Sequence, residues 1–179
     1  MAKYLESNKL LRTNLKSKSL IELGAGAGLT SMVASVLGAH VYCTEQVTSL
    51  KYLRKNASFN PEIELSIGNI GWDKLSSSDN IKFDMILGCD ITYELKSIPS
   101  IVKCIHSLMK SDGEAFICHD NDSCPMSKYA LKELESACSN LGLAIKEIDY
   151  KLFVDFKFHS DLIKLWSITF LKENQIILV

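Results

Sequence analysis

Apolar and polar positions along the chain fall into two alternating rhythms. Short apolar runs occupy 19–24 (SLIELG), 40–45 (HVYCTE), 63–67 (IELSI), 83–89 (FDMILGC), 114–119 (EAFICH), 144–150 (AIKEIDY) and 164–172 (KLWSITFLK). Their length and their content of branched and aromatic residues are those of β-strands. Between them, 29–37, 47–59, 95–109 and 128–141 carry apolar residues at helical spacing. In the second of these, Leu50, Leu53, Ala57 and, just beyond, Asn60 share one face. Lys110-Ser111-Asp112-Gly113 reads as a glycine stop closing the third helix. Strands and helices alternating in this way imply βαβ units: an α/β, Rossmann-like, doubly wound seven-stranded sheet, mostly parallel and covered on both faces. No helical pattern separates the last two strands, so one strand is expected to run antiparallel near an edge. With no Pro/Gly/Ser-rich linker and no internal repeat, residues 1–179 read as a single domain.

Charge and cysteine usage then remove several classes of function. Twenty basic residues against 21 acidic ones leave a net charge of −1, so no overall field draws the chain to nucleic acid or an anionic membrane. The six cysteines form no C-x-x-C pair, and the first twenty residues are polar and basic, without the apolar core of a signal peptide. No apolar run reaches the length of a membrane span. The expectation is a monomer with reduced thiols and no metal centre. Its place is the cytoplasm, with the nucleus left open.

Candidate chemistry concentrates in 20–28, LIELGAGAG, where a strand enters a glycine-rich turn and then a helix. Glycines let the backbone approach a ligand closely, and a helix N-terminus offers unpaired N–H groups. In a doubly wound sheet, nucleotide-like ligands lie at that turn. The spacing of Gly24, Gly26 and Gly28 is G-x-G-x-G rather than the dinucleotide G-x-G-x-x-G. Small residues also serve ordinary tight turns, and the pattern alone leaves that open. Glu45 ends the second strand, where a carboxylate can accept both ribose hydroxyls, as it does about 20 residues after the glycines in nicotinamide folds.

Glu-x-Gly-x-Gly-x-Gly, led by Glu22, resembles the first motif of class I S-adenosylmethionine-dependent methyltransferases. A sulfonium cofactor brings no pyrophosphate, and an acid near its amino group is favourable. Three further features narrow the likeness: the L-x-x-L-x-x-N-x-x-x-N helix of Leu50, Leu53, Asn56 and Asn60; Trp72 after the third strand; and Gly88-Cys-Asp-Ile-Thr-Tyr-Glu94 after the fourth. Together they resemble the METTL21-like protein-lysine methyltransferases, whose fourth strand ends in D-x-x-Y. The likeness is good from Lys18 to Tyr93 and only an outline in the C-terminal third. It implies that Gly24, Ala25 and Gly26 touch the cofactor through backbone, with Glu22 near its amino group. Glu45 would take its ribose, Trp72 its adenine, and Cys89 the small-residue position beside it. Asp90 and Tyr93 would form the catalytic, substrate-side motif, and the partner would be a protein bearing the lysine.

The family's tryptophan upstream of the glycine turn is missing, since the tryptophans here are Trp72 and Trp166. The expectation is a chain shortened at its N-terminal side or a catalytically weakened member. Two rival readings remain. Asp90 with Asp120 and Asn121 resembles the oxygen-ligand set of metal-dependent catechol-type O-methyltransferases, in which Mg²⁺ acidifies a hydroxyl. The second rival is a non-catalytic binding module that keeps the fold for protein contacts.

Overall fold

The computed structural model describes residues 1–72, 81–121 and 129–171. In chain order these form helices α1 (Ala2–Ser7) and α2 (Lys9–Asn14), strand β1 (Ser19–Leu23), α3 (Leu29–Val36), β2 (His40–Thr44), α4 (Leu50–Ser58), β3 (Ser66–Gly68), β4 (Phe83–Cys89), α5 (Ile98–Leu108), β5 (Met109–Asp120), α6 (Ala130–Ser139), β6 (Leu143–Glu147) and β7 (Ile163–Phe170). The seven strands make one sheet in the order β3-β2-β1-β4-β5-β7-β6. Pairs β1–β2, β1–β4, β2–β3 and β4–β5 are parallel. β7 runs antiparallel to both β5 and β6. The order turns outward on either side of β1 and β4, so the carboxyl ends of these two strands open a crevice at the switch point.

Strand alternation sorts the core into two faces. Ile21, Leu23, Ile86, Ile117 and Trp166 pack with α5 and α6 residues such as Ile101, Ile105 and Leu134. Leu20, Met85, Leu87, Phe116 and Leu165 point the other way, against Tyr4, Leu5, Leu11 and Leu15 of the N-terminal helices and their flank. A smaller cluster of Cys43, Leu50 and Leu53 seats α4.

Several boundaries differ from the sequence expectation. α1 and α2 were not anticipated, because their apolar residues are few and interrupted. What makes them helices is burial of Tyr4, Leu5 and Leu11, plus Asn8, whose side chain accepts from Leu11 N at 3.1 Å and caps α2. The glycine stop is also corrected. α5 ends at Leu108 with Met109 already extended, and 110–113 form an irregularity inside β5. Phe83 pairs with Met109 but Met85 with Glu114. Gly113 serves close packing there, since a Cβ would lie 3.0 Å from Lys110 O and 3.1 Å from Phe83 O. β6 leaves the sheet at Glu147, and Tyr150 starts a 3₁₀ turn (Tyr150–Leu152) instead of ending a strand. Residues 128 and 172, ends of expected elements, lie outside the described residues.

Among the described residues no helix is long and apolar enough to cross a membrane. The described cysteines are free thiols.

Candidate functional site

β1 runs into a turn whose three glycines all have positive φ: +65° at Gly24, +55° at Gly26 and +83° at Gly28. A side chain is excluded twice over at Gly24 and Gly28. A Cβ on Gly24 would sit 2.8 Å from Ile91 Cγ2, and one on Gly28 only 2.7 Å from Leu53 Cδ1. At Gly26 a Cβ would meet nothing within 4 Å, so this stretch of backbone faces open space. Helix α4 supplies the floor beneath: Asn56 Nδ2 donates to Ala27 O at 2.6 Å, and Asn60 Nδ2 donates to Asn56 O at 3.1 Å. Asn56 thus fixes the turn from outside it, and Asn60 bonds the backbone of Asn56. Ala25 donates its N–H to Thr44 O at 2.9 Å, joining the turn to the end of β2.

Beside the turn lies a cavity of about 600 Å³ lined by Gly24, Glu45, Trp72, Asp90 and Tyr93, among others; Ala25 and Gly26, the other two expected backbone contacts, do not line it. One Glu45 oxygen accepts from Gly26 N at 2.7 Å and the other from Gln46 N at 2.7 Å. Each oxygen still has lone-pair capacity for a ligand hydroxyl. Asn69 Nδ2 donates to Glu45 O at 2.8 Å and ties the β3 end to the same carboxylate residue. The Trp72 ring closes the wall near Gly24, 3.6 Å from where its Cβ would be. Sequence reasoning passed over Asn69, Ile70, Lys96, Ser97 and Ser100, which also line the cavity. Asn69 could have been found, standing three residues before Trp72 in the loop after the third strand.

Asp90 and Tyr93 enter from β4. Asp90 is a non-glycine residue at φ +53°, a left-handed conformation that costs on the order of 1 kcal/mol and persists only where surroundings impose it. Its N–H donates to Cys118 O of β5 at 2.7 Å. Ile91 wedges between Gly24 and Gly88, and the Tyr93 ring stays 52% exposed at the cavity mouth.

Two expected contacts are corrected. Glu22 follows Leu20 on the sheet face toward α3, so its carboxylate turns away from the cavity and is 1% exposed. Glu22 accepts from Ser31 N at 2.9 Å and Ser31 Oγ at 2.5 Å. Burial pushes this carboxyl above its ordinary value, opposed by the bonds from Ser31 and Thr30. Glu22 therefore anchors the helix behind the turn. Cys89 shares the parity of Met85 and Leu87 and faces the same way. Its Sγ lies 3.5 Å from Thr30 Oγ1, in a separate cavity of about 380 Å³. Desolvation pushes this thiol up to about 12. As for the metal reading, Asp120 ends β5 and Asn121 N donates to Leu162 O. Neither lines the cavity that Asp90 does.

Comparison with known proteins follows the same stretch of chain. The family profile described as Lysine methyltransferase matches residues 1–137. Protein N-lysine methyltransferase METTL21A of Xenopus tropicalis is 38% identical over 104 residues, 56% of this chain and 46% of that one. Protein-lysine methyltransferase METTL21E of Bos taurus is 42% identical over 99 residues, 50% and 33% of the two chains. The chain thus spans half or less of the length of these two relatives. An S-adenosylmethionine-dependent methyltransferase from Clostridium acetobutylicum superposes with a TM-score of 0.71 at 12% identity, over 94% of this chain and 90% of that one; at that identity the likeness is one of fold. On the profile match across most of its length, the chain belongs to the lysine methyltransferase family.

Proposed function

We propose that this chain is an S-adenosylmethionine-dependent methyltransferase whose acceptor is the side-chain amine of a lysine in another protein. One observation carries the reading. Gly24, Glu45 and Trp72 line the same cavity as Asp90 and Tyr93, so a nucleoside-binding set and an amine-positioning set share one crevice at the carboxyl ends of β1, β2 and β4.

The residues fit the cofactor on their own chemistry. The volume falls within the usual range of small-molecule sites, roughly 300–1,000 Å³. Gly26 leaves backbone open to close approach. Glu45 brings a carboxylate held by two backbone N–H groups, suited to a pair of ribose hydroxyls. Trp72 brings an aromatic wall suited to an adenine ring. When bound, the cofactor supplies an electrophilic methyl group. The acceptor must lose its proton, since a free lysine has a pKa of about 10.4. Asp90 orients the amine by accepting a hydrogen bond, and Tyr93 shapes the apolar wall beside it. Enclosure and orientation then supply much of the acceleration in an in-line displacement.

The test couples binding to transfer. Glu45→Ala is expected to weaken cofactor binding by about 1.5–3 kcal/mol in calorimetry, the worth of hydrogen bonds to a charged acceptor. Asp90→Ala should keep cofactor affinity within a few-fold and cut turnover strongly, as a group acting mainly on the transition state does. The acceptor is read by incubating labelled cofactor with cell lysate and mapping modified residues by mass spectrometry. Label found only on small-molecule hydroxyls, or unchanged affinity in Glu45→Ala, overturns the reading.

A further inference from the structure

Resting on that reading, we infer that Thr92 and His119 are positioning residues that hold the Asp90–Tyr93 turn in its active shape. Thr92 Oγ1 and His119 Nδ1 lie 2.7 Å apart, and both residues are 0% exposed. The pair shares one hydrogen bond whichever ring nitrogen carries the proton. His119 stands one residue past Cys118 on β5, and its ring stacks on Trp166 of β7 at 5.4 Å and 27°. It is a rigid post, walled in by the α5–α6 face of the core.

The turn needs such a post. Asp90 is held at φ +53°, a conformation that relaxes unless neighbouring contacts impose it. Two successive β5 residues impose it. Cys118 O takes the Asp90 N–H at 2.7 Å, and His119 takes the Thr92 side chain. Between them Ile91 is wedged against Gly24 and Gly88, leaving no slack on that side. Thr92 points inward while Asp90 and Tyr93 line the cavity. A pull on Thr92 therefore sets where the Asp90 and Tyr93 side chains present themselves. Without the hydroxyl, a buried ring nitrogen would lose this partner, and the strained turn would lose this tie to β5. Asp90 and Tyr93 would then sample orientations away from the acceptor, at a cost to turnover rather than to cofactor binding, because Glu45 and Trp72 hang from other strands.

The decisive comparison is Thr92→Val, which keeps shape and loses the hydroxyl, against Thr92→Ser, which keeps the hydroxyl. Thr92→Val is expected to lower kcat about tenfold or more with the cofactor Kd within about twofold, and Thr92→Ser to restore kcat. In ¹⁵N NMR, the His119 ring nitrogen and the amides of 90–93 should shift in Thr92→Val and stay near wild type in Thr92→Ser. Should Thr92→Val fail to fold, Thr92→Ser decides alone, and a tenfold fall in its kcat overturns the inference. Wild-type kcat in Thr92→Val, or unmoved resonances at 90–93, overturns it as well. A wild-type protein that transfers no methyl group refutes the functional reading instead, and the NMR comparison still decides whether Thr92 pins the turn.

Discussion

Two glutamates on either side of the glycine turn have opposite fates, one just past the end of a strand and the other inside one. Glu45, at the end of β2, keeps its carboxylate at the cavity, while Glu22 inside β1 is turned under α3 and bonds Ser31. Burial dominates at Glu22 and raises its pKa above 4.5. The sign for stability follows by linkage. The folded state keeps its proton to higher pH than the unfolded chain does, so the stability present below the ordinary value is lost as pH rises through the raised one. Glu22→Gln keeps an oxygen for Ser31 and removes the buried charge. Its melting temperature should gain on wild type as pH is raised from about 4.5 to about 8. A difference that stays constant across that range, in parallel thermal melts, would contradict the assignment.

At the level of elements, α4 works as a clamp rather than as core alone. Its Leu53 fills the space that a side chain on Gly28 would need, and its Asn56 takes the Ala27 carbonyl. Asn56→Ala should cost about 0.5–1.5 kcal/mol in denaturant unfolding, the net worth of one hydrogen bond. It should also weaken cofactor affinity by loosening the turn. Equal affinity in calorimetry would assign Asn56 to stability only. The clamp was legible in sequence as L-x-x-L-x-x-N-x-x-x-N, though its partner was not, because the Ala27 carbonyl has no residue signature. Gly24, Glu45, Trp72, Asp90 and Tyr93, all singled out from the sequence, line one cavity for a related reason: each lies in the segment that follows the carboxyl end of a strand. Glu22 and Cys89 were misplaced because the motif names residues without saying which sheet face each takes. The N-terminal helices were missed because three buried side chains and an asparagine cap hold them, a signal too sparse for periodicity to register.

Across the whole molecule the sheet has a working end and a fastened end. The carboxyl ends of β1, β2 and β4 carry the cavity, with strained backbone at Asp90 and open backbone at Gly26. At the amino ends, Asp84 of β4 ties three strands together. It accepts from Ser19 N at 2.9 Å and Ser19 Oγ at 2.7 Å, and pairs with Lys18 at 3.2 Å and Lys110 at 2.9 Å. Burial alone would raise its carboxyl, but Lys110, Ser19 and Lys18 together hold it well below the ordinary value of 3.8. A depressed pKa stabilises the fold above the unfolded value, and that contribution is lost as pH falls toward the depressed one. Asp84→Asn should therefore lose about 1.5–3 kcal/mol at neutral pH, the range for hydrogen bonds to a charged group. The gap to wild type should narrow steadily once the pH drops below 3.8. Because Asp84 sits at the far end of β4 from Asp90, kcat and cofactor affinity in the folded variant should stay at wild-type values. Urea unfolding at neutral and strongly acid pH, with kinetics at neutral pH, checks both halves. A stability gap that persists undiminished in acid would remove the charge from the explanation, and a fall in kcat would mean that the two ends of the sheet are coupled.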